Sequence, residues 1–338
     1  MARAIVRLKD IADKTGFSTN TVSLALRQSP RIPQQTRELI QRAASELNYL
    51  PNYVAKSLVS RETKTIGLVL TDMTNPALTQ TAQSIEVALA ERGYGTLFAT
   101  STNTLSEEKR AIELFRSRQV DGMLIYPTSP KLIEHIRPLR AANYPVVLLI
   151  ADPDATIDSV AVDDRRGAYK ATRHLVEAGH TRIGLIDGTN PMGNREKRAG
   201  FLEALAEAGI DFDQQLTADP HGHSTRLGYQ AMDALMRGPP TPPSAVFAVN
   251  DSLAIGALRW CAENGLQVPA DLAIIGFDDI EFAEYAAVPL STVRYAVESV
   301  TSMAVERLMQ LILAGDQLPA PRVTRIDPEL VIRESSGG

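Results

Sequence analysis

Leu8-Lys9-Asp10-Ile11-Ala12-Asp13-Lys14-Thr15-Gly16-Phe17-Ser18-Thr19-Asn20-Thr21-Val22-Ser23-Leu24-Ala25-Leu26-Arg27 is followed at a fixed distance by Pro51-Asn52-Tyr53-Val54-Ala55-Lys56-Ser57-Leu58. Ile11 and Ala12 fall on one face of a first short helical pattern, and Gly16 supplies a turn that other residues would strain. Ser18 is placed to cap a second helix carrying Val22 and Leu26 inward. Two helices across a tight turn predict a helix-turn-helix, whose second helix enters the major groove. Its outward residues Ser18, Thr19, Asn20, Ser23, Leu24 and Arg27 are then the candidates for base edges and phosphates. Pro33 opens a third helical pattern in which Leu39, Ile40, Ala43, Ala44 and Leu47 recur at helical spacing, closing a small all-helical head over residues 1–50. The segment 51–63 holds a helix candidate only about nine residues long, too short to be stable without a partner.

Charge supports this division. Through Lys64 there are 11 Lys and Arg against 5 Asp and Glu, and the remainder of the chain holds 24 against 35. The cationic head suits a polyanion, and the acidic body would be repelled by it. At 338 residues and 44% hydrophobic content the chain can bury a large core in two or three domains. The longest uninterrupted apolar run, Val146 to Ala151, is far below the ~20 residues of a membrane span, and the N-terminus has no signal-like stretch, so a cytoplasmic protein with no membrane partner is expected. The single Cys261 excludes an internal disulfide and a multi-cysteine zinc site, and reads as a core thiol.

From Thr65 short apolar strands alternate with helical patterns: Ile66–Thr71, Thr96–Thr100, Gly122–Tyr126, Pro145–Ile150, Ser159–Val162, then Ala245–Val249 and Ala273–Phe277. This predicts parallel sheets covered by helices. Thr65-Ile66-Gly67-Leu68-Val69 with Thr74-Asn75-Pro76 recurs weakly as Arg182-Ile183-Gly184-Leu185-Ile186 with Thr189-Asn190-Pro191, so two similar lobes with a cleft between them are expected. Ligands of such sheets sit at the carboxyl ends of strands, here Thr71-Asp72, Thr100-Ser101, Asn250-Asp251 and Asp278-Asp279.

In this order, Leu8-Lys9-Asp10-Ile11-Ala12, Asn20-Thr21-Val22-Ser23, Tyr49-Leu50-Pro51-Asn52, Asn75-Pro76, Asp121-Gly122, Gly179-His180-Thr181-Arg182-Ile183, Ala248-Val249-Asn250-Asp251, Gly276-Phe277-Asp278-Asp279 and Pro289-Leu290-Ser291-Thr292-Val293 resemble the lac-repressor (LacI-type) family of bacterial transcription regulators over essentially the whole chain. The resemblance implies an N-terminal helix-turn-helix head, a hinge, and an α/β two-lobed periplasmic-binding-protein-like body with parallel sheets over 64–338. The first lobe would take about 64–161 and 292–325, the second about 162–291 and 326–338. It implies a homodimer reading a pseudo-palindromic DNA operator, a repressor of a catabolic operon, and control by a small sugar-like effector bound between the lobes. At the hinge it gives Asn52, Ala55, Lys56 and Leu58 to the DNA, with Leu58 as an apolar wedge in the minor groove and Ala55 small enough for paired helices to approach. In the body its effector-facing positions are Thr71, Asp72, Leu78, Ser101, Lys197, His223, Asn250, Asp278 and Tyr295.

The chain departs from the family pattern at four of these places. Leu24 and Arg27 stand where arginine and asparagine are frequent, which shifts one base preference toward a thymine methyl unless Leu24 only packs on Pro30 or Ile32. Lys197 stands for the usual arginine and Ile150 for a sugar-binding aspartate. Arg195, Lys197 and Arg198 together hint at an anionic effector, a sugar acid or phosphate, although a solvated helix face explains those charges equally well. Asn250 and Asp278 have loop capping as their alternative role. No cofactor or metal is implied: His221-Gly222-His223 lacks a second ligand pair, and Gly93-Tyr94-Gly95 lacks the third glycine of a dinucleotide fingerprint. No catalytic set is visible, which weighs against a sugar-modifying enzyme, and the basic head weighs against a transport solute-binding protein. The chain stops at Gly338 without a leucine heptad tail, so a dimer is expected rather than a tetramer.

Overall fold

The computed structural model describes residues 6–49, 62–187 and 195–337. The chain separates into two compact units, residues 1–63 and 64–338. The hinge residues Asn52, Ala55, Lys56 and Leu58, and the repeat Thr189-Asn190-Pro191, lie outside the described residues.

The head is three helices, α1 (Leu8–Thr15), α2 (Thr19–Leu26) and α3 (Gln34–Glu46). Asp10 accepts the Arg7 amide at 2.7 Å at the start of α1, satisfying a backbone donor that the helix itself leaves free. Gly16 ends α1 with φ +77°, a left-handed conformation that costs glycine nothing. Ser18 then caps α2 by accepting the Thr21 amide at 3.1 Å. Ile11, Val22, Ala25 and Ile40 have no exposed surface and meet Ala12, Ala43 and Ala44 in one small core. Two expected core positions differ. Leu39 is 45% exposed, because α3 turns Ile40 and Ala43 toward the core and carries Leu39 to the outer face. Leu26 only packs against the core's edge, and the smaller Ala25 takes the fully buried place between helices.

In the body, six parallel strands form the first lobe's sheet in the order β11-β5-β4-β3-β1-β2. These are β1 (Thr65–Leu70), β2 (Gly95–Thr100), β3 (Gly122–Ile125), β4 (Val146–Leu148), β5 (Asp158–Val162) and β11 (Val323–Ile326). The central strands are buried on both faces, which is why they read as unbroken apolar runs and not as alternating ones. The second lobe's sheet runs β7-β6-β8-β9, with β6 (Ile183–Ile186), β7 (Thr217–Ala218), β8 (Ala245–Ala248) and β9 (Ala273–Ile275). Strand β9 is shorter than the run to Phe277 suggests. Beyond Ile275 the backbone leaves β8, and Gly276 and Asp278 donate instead to Ser291 and Val293 carbonyls at 2.9 and 2.8 Å.

That exchange draws the chain's return segment onto the second lobe. Strand β10 (Thr292–Arg294), expected with the first lobe, pairs antiparallel with β12 (Glu329–Val331) and bridges Asp278 at Arg294. Helix Asp164–Glu177 packs against helix Arg195–Glu207 at Gly200, where a Cβ would sit 2.0 Å from the Arg165 carbonyl oxygen. Only glycine permits this approach. It brings Lys197, one turn earlier, beside Asp164. Among the described residues no helix is long and apolar enough to cross a membrane.

Candidate DNA-reading face and effector cavity

On α2, Thr19, Asn20 and Arg27 are exposed, while Ser23 and Leu24 are half-buried. Arg27 folds back along its own helix: its guanidinium donates to the Ser23 hydroxyl at 2.6 Å and to the Ser23 carbonyl at 3.2 Å. The Ser18 hydroxyl is engaged with Thr21. Leu24 is not among the side chains packing on the head's core, although Ile32 is. Thr19, Asn20 and Leu24 are thus the residues on this face whose side chains carry no such local duty.

Between the lobes lies a cavity of about 480 Å³. Thr71, Asp72, Leu78, Lys197, His223, Asn250, Asp278 and Tyr295 line it, as do Ile150 and Arg195. Ser101 does not. It is fully buried and reaches the cavity wall only through its hydroxyl, 3.1 Å from that of Thr128, while Asn103, two residues on, lines the cavity instead. Asn250 takes the capping role and lines the cavity as well. Its Oδ1 accepts the Leu253 amide at 2.8 Å as the cap of helix Asp251–Glu263, and its side-chain nitrogen lies 2.9 Å from His223 Nδ1. Asp72 accepts the Thr74 amide and hydroxyl at 2.7 and 2.8 Å, holding the turn that leads to Asn75, the cap of helix Pro76–Ala90.

At the second-lobe end of the cavity, the Lys197 ammonium donates to the Val249 carbonyl at 3.0 Å and sits 3.6 Å above the Phe277 ring. It is 3.9 Å from Asp164 and 4.0 Å from Asp278. One ammonium therefore serves two carboxylates. Asp278, its side chain only 11% exposed, is pushed up to about 7 by burial, against the pull of Lys197 and with a further push from Asp164. Asp164 is raised for the same reason, and burial with the nearby Lys197 lowers His223. The Tyr295 hydroxyl is buried, has no hydrogen-bond partner among the described residues, and is raised by burial and by Asp164 and Asp278. Behind Asp278, Asp251 accepts from the Thr292 hydroxyl at 2.6 Å and from the Ile280 amide at 2.9 Å, locking the turn that presents Asp278. Asp278 itself has φ +118°, a conformation held by its bonds to Val293 and Tyr295.

Residues 7–52 match the family described as bacterial regulatory proteins, lacI family, and residues 172–336 match a periplasmic binding protein-like domain. The chain is 32% identical over 332 residues to the HTH-type transcriptional repressor PurR of Haemophilus influenzae (strain PittEE), covering 97% of this chain and 98% of that one. It is 33% identical over 338 residues to the repressor CytR of Escherichia coli (strain K12), covering 97% and 96%. The chain belongs to the lacI family. Its fold is also that of the lac repressor dimer bound to operator and the anti-inducer ONPF, with a TM-score of 0.85 at 28% identity over 98% of this chain and 99% of that one.

This lacI-family regulator carries cavity residues that the motifs did not single out. Tyr126, Thr128 and Lys131 follow β3, and Asp164 follows β5, so all four obey the strand-end rule that had been applied only to other strands. Thr128 is fixed from behind by the fully buried Glu108, which accepts its amide and lies 2.8 Å from His135. Arg325 reaches the cavity from β11, more than 150 residues beyond β5, and no local pattern marks it.

Proposed function

We propose that this repressor binds, as a homodimer, a pseudo-palindromic operator through its two heads, and that a sugar or sugar derivative in the interlobe cavity governs that binding. The observation that carries the proposal is the presence, in one chain, of a capped helix-turn-helix with outward Thr19, Asn20 and Leu24 and a separate cavity lined by paired polar groups. Asn52, Ala55, Lys56 and Leu58 would form the hinge that joins them, folding on DNA and inserting Leu58 at the centre of the operator. Effector binding would shift the lobes and the hinge together, by as much as the effector's affinity differs between the two states.

Any acidic group of the effector would face Lys131, Arg195 or Arg325, for which no carboxylate partner is found among the described residues, and not Lys197, which already serves Asp164 and Asp278. A thermal-shift screen of sugars, sugar acids, sugar phosphates and purines, repeated with operator DNA, tests the proposal. A compound that stabilises the protein and changes its operator affinity is the expected result. Binding of duplex DNA that is independent of every stabilising compound would overturn effector control.

A further inference from the structure

Three crossings join the lobes of the body: Asp163 after β5, Tyr295 and Ala296 between β10 and helix Val297–Ala314, and Asp327 with Pro328 between β11 and β12. On the first-lobe side, the Asp163 amide donates to the Ile326 carbonyl at 2.9 Å and the Val300 amide to the Ala296 carbonyl at 2.9 Å. On the second-lobe side, one carboxylate holds both returning strands. Asp279 accepts from Arg294 of β10 at 2.7 Å and from Arg333, just past β12, at 2.8 Å. Arg294 also reaches Glu329 of β12 at 2.5 Å, and Arg333 donates to the Leu290 carbonyl at 2.9 Å. The Asp279 side chain is only 10% exposed, so these two guanidiniums, and not water, compensate its charge.

The backbone beside this carboxylate is strained. Asp278 and Asp279 are consecutive residues with a Cβ and positive φ, +118° and +57°. Such a turn persists only where its surroundings over-determine it. Here the surroundings are β10 itself: the Asp278 amide donates to the Val293 carbonyl at 2.8 Å, the Tyr295 amide to the Asp278 carbonyl at 3.1 Å, and the Asp279 amide to the Thr292 hydroxyl at 3.3 Å. The turn and the crossing strand hold each other. Asp279, Arg294, Glu329 and Arg333 are not among the residues lining the cavity.

We infer that Asp279 is a positioning residue: through Arg294 and Arg333 it fastens both returning strands to the second lobe, so that movement of one lobe over the other bends the chain at Asp163, Tyr295–Ala296 and Asp327, and not within β10 or β12. The inference deepens the proposed effector control and rests on it for its regulatory meaning. With the clamp in place, a shift in one lobe reaches the other as a rigid-body movement. Without it, the lobes are joined through loose strands, and the fraction of molecules in the arrangement suited to operator falls.

The first test is hydrogen exchange of the full chain without DNA or effector, read by mass spectrometry in wild type and in Asp279→Asn, which keeps the side chain's shape and removes its charge. The amides of 292–294 and 329–331 are expected to exchange about tenfold faster in the variant, with β1, β3, β6 and β8 unchanged. Unchanged exchange in the two strands overturns the clamp. So does an equal rise across β6 and β8, which would make Asp279 an ordinary support of the second lobe. Should Asp279→Asn fail to fold, Arg294→Gln and Glu329→Gln replace it, on side chains 45% and 66% exposed. Each should loosen both strands, and the double variant no further than Arg294→Gln alone; additive loosening overturns the shared network.

The second test measures, by fluorescence anisotropy, binding to a labelled duplex that the wild type selects from a random pool. Asp279→Asn is expected to bind about fivefold more weakly than wild type, with the head's own unfolding transition unmoved. Equal affinity beside loosened strands overturns the regulatory role. Because the exchange experiment contains no DNA, a wild type that selects no duplex removes the proposed function, while the exchange result still decides the clamp.

Discussion

Leu24 occupies the middle of a helix face whose neighbours are already employed. Arg27 is tied to Ser23, and Ser18 caps the helix, so in the proposed reading Thr19 and Asn20 would carry the polar reach of α2 toward a base edge, with Leu24 supplying apolar surface. A leucine here favours a thymine methyl, whereas an arginine would favour guanine through two parallel hydrogen bonds, a difference of about 1–3 kcal/mol per good pair. Leu24→Arg should therefore move base preference at one position of each half-site, measured by binding to a panel of single-base operator variants. Unchanged preference at every position would return Leu24 to a packing role. The cap makes a separate prediction at the same scale. Ser18→Ala removes the acceptor for the Thr21 amide and should destabilise the head by about 1 kcal/mol, seen as a lower head unfolding temperature with the body's transition unmoved.

At the scale of elements, the short hinge segment and the helix Arg195–Glu207 carry contrasting risks. A helix of about nine residues, as proposed for the hinge, would not hold itself in water, so its formation would be linked to a partner. Leu58→Ala should then weaken operator binding strongly while effector-induced stabilisation of the body survives; equal operator affinity would remove the wedge role. The helix Arg195–Glu207 is fixed by contact with its neighbour, and Gly200→Ala places a methyl group 2.0 Å from the Arg165 carbonyl oxygen. The helices must separate, at a cost of about 1–3 kcal/mol in overpacking, and Lys197 must move away from Asp164. The body's Tm should drop.

These elements also show which parts of the molecule a sequence discloses. Gly16, Ser18, Ile11 and Val22 were legible because their roles are local: a turn, a cap and a helical spacing of four. The parallel strands were legible because burial on both faces leaves continuous apolar runs. Leu39 misled because a helical pattern fixes a face only to within a residue, and the packing of three helices decides which edge is covered. The pairing of Lys197 with Asp164 and Asp278 was not legible at all. It depends on the Gly200 crossing and on the turn at Asp278, which join residues about 33 and 81 positions from Lys197 in the chain. Ser101 lies at a strand end, as the rule for ligand sites asks, but its side chain turns behind Thr128, and it is Asn103, two residues on, that lines the cavity.

Across the whole molecule the charges are divided between the two units: an excess of 6 basic residues through Lys64 and an excess of 11 acidic residues after it. Duplex DNA attracts the first and repels the second, and the free energy of attraction comes largely from counterions released as phosphates are neutralised. In the proposed homodimer the acidic body would serve DNA binding only by carrying the two heads, so its removal and the head's removal should have different signatures. A chain lacking residues 1–60 should lose salt-dependent DNA binding altogether and keep the body's unfolding transition. The intact chain should show log affinity falling linearly with log salt, with a slope of about 0.9 for each phosphate contacted. Fluorescence anisotropy of labelled operator across a salt series measures both. Retention of salt-dependent binding by the shortened chain would place the DNA surface on the acidic body, against the charge that the sequence gives it.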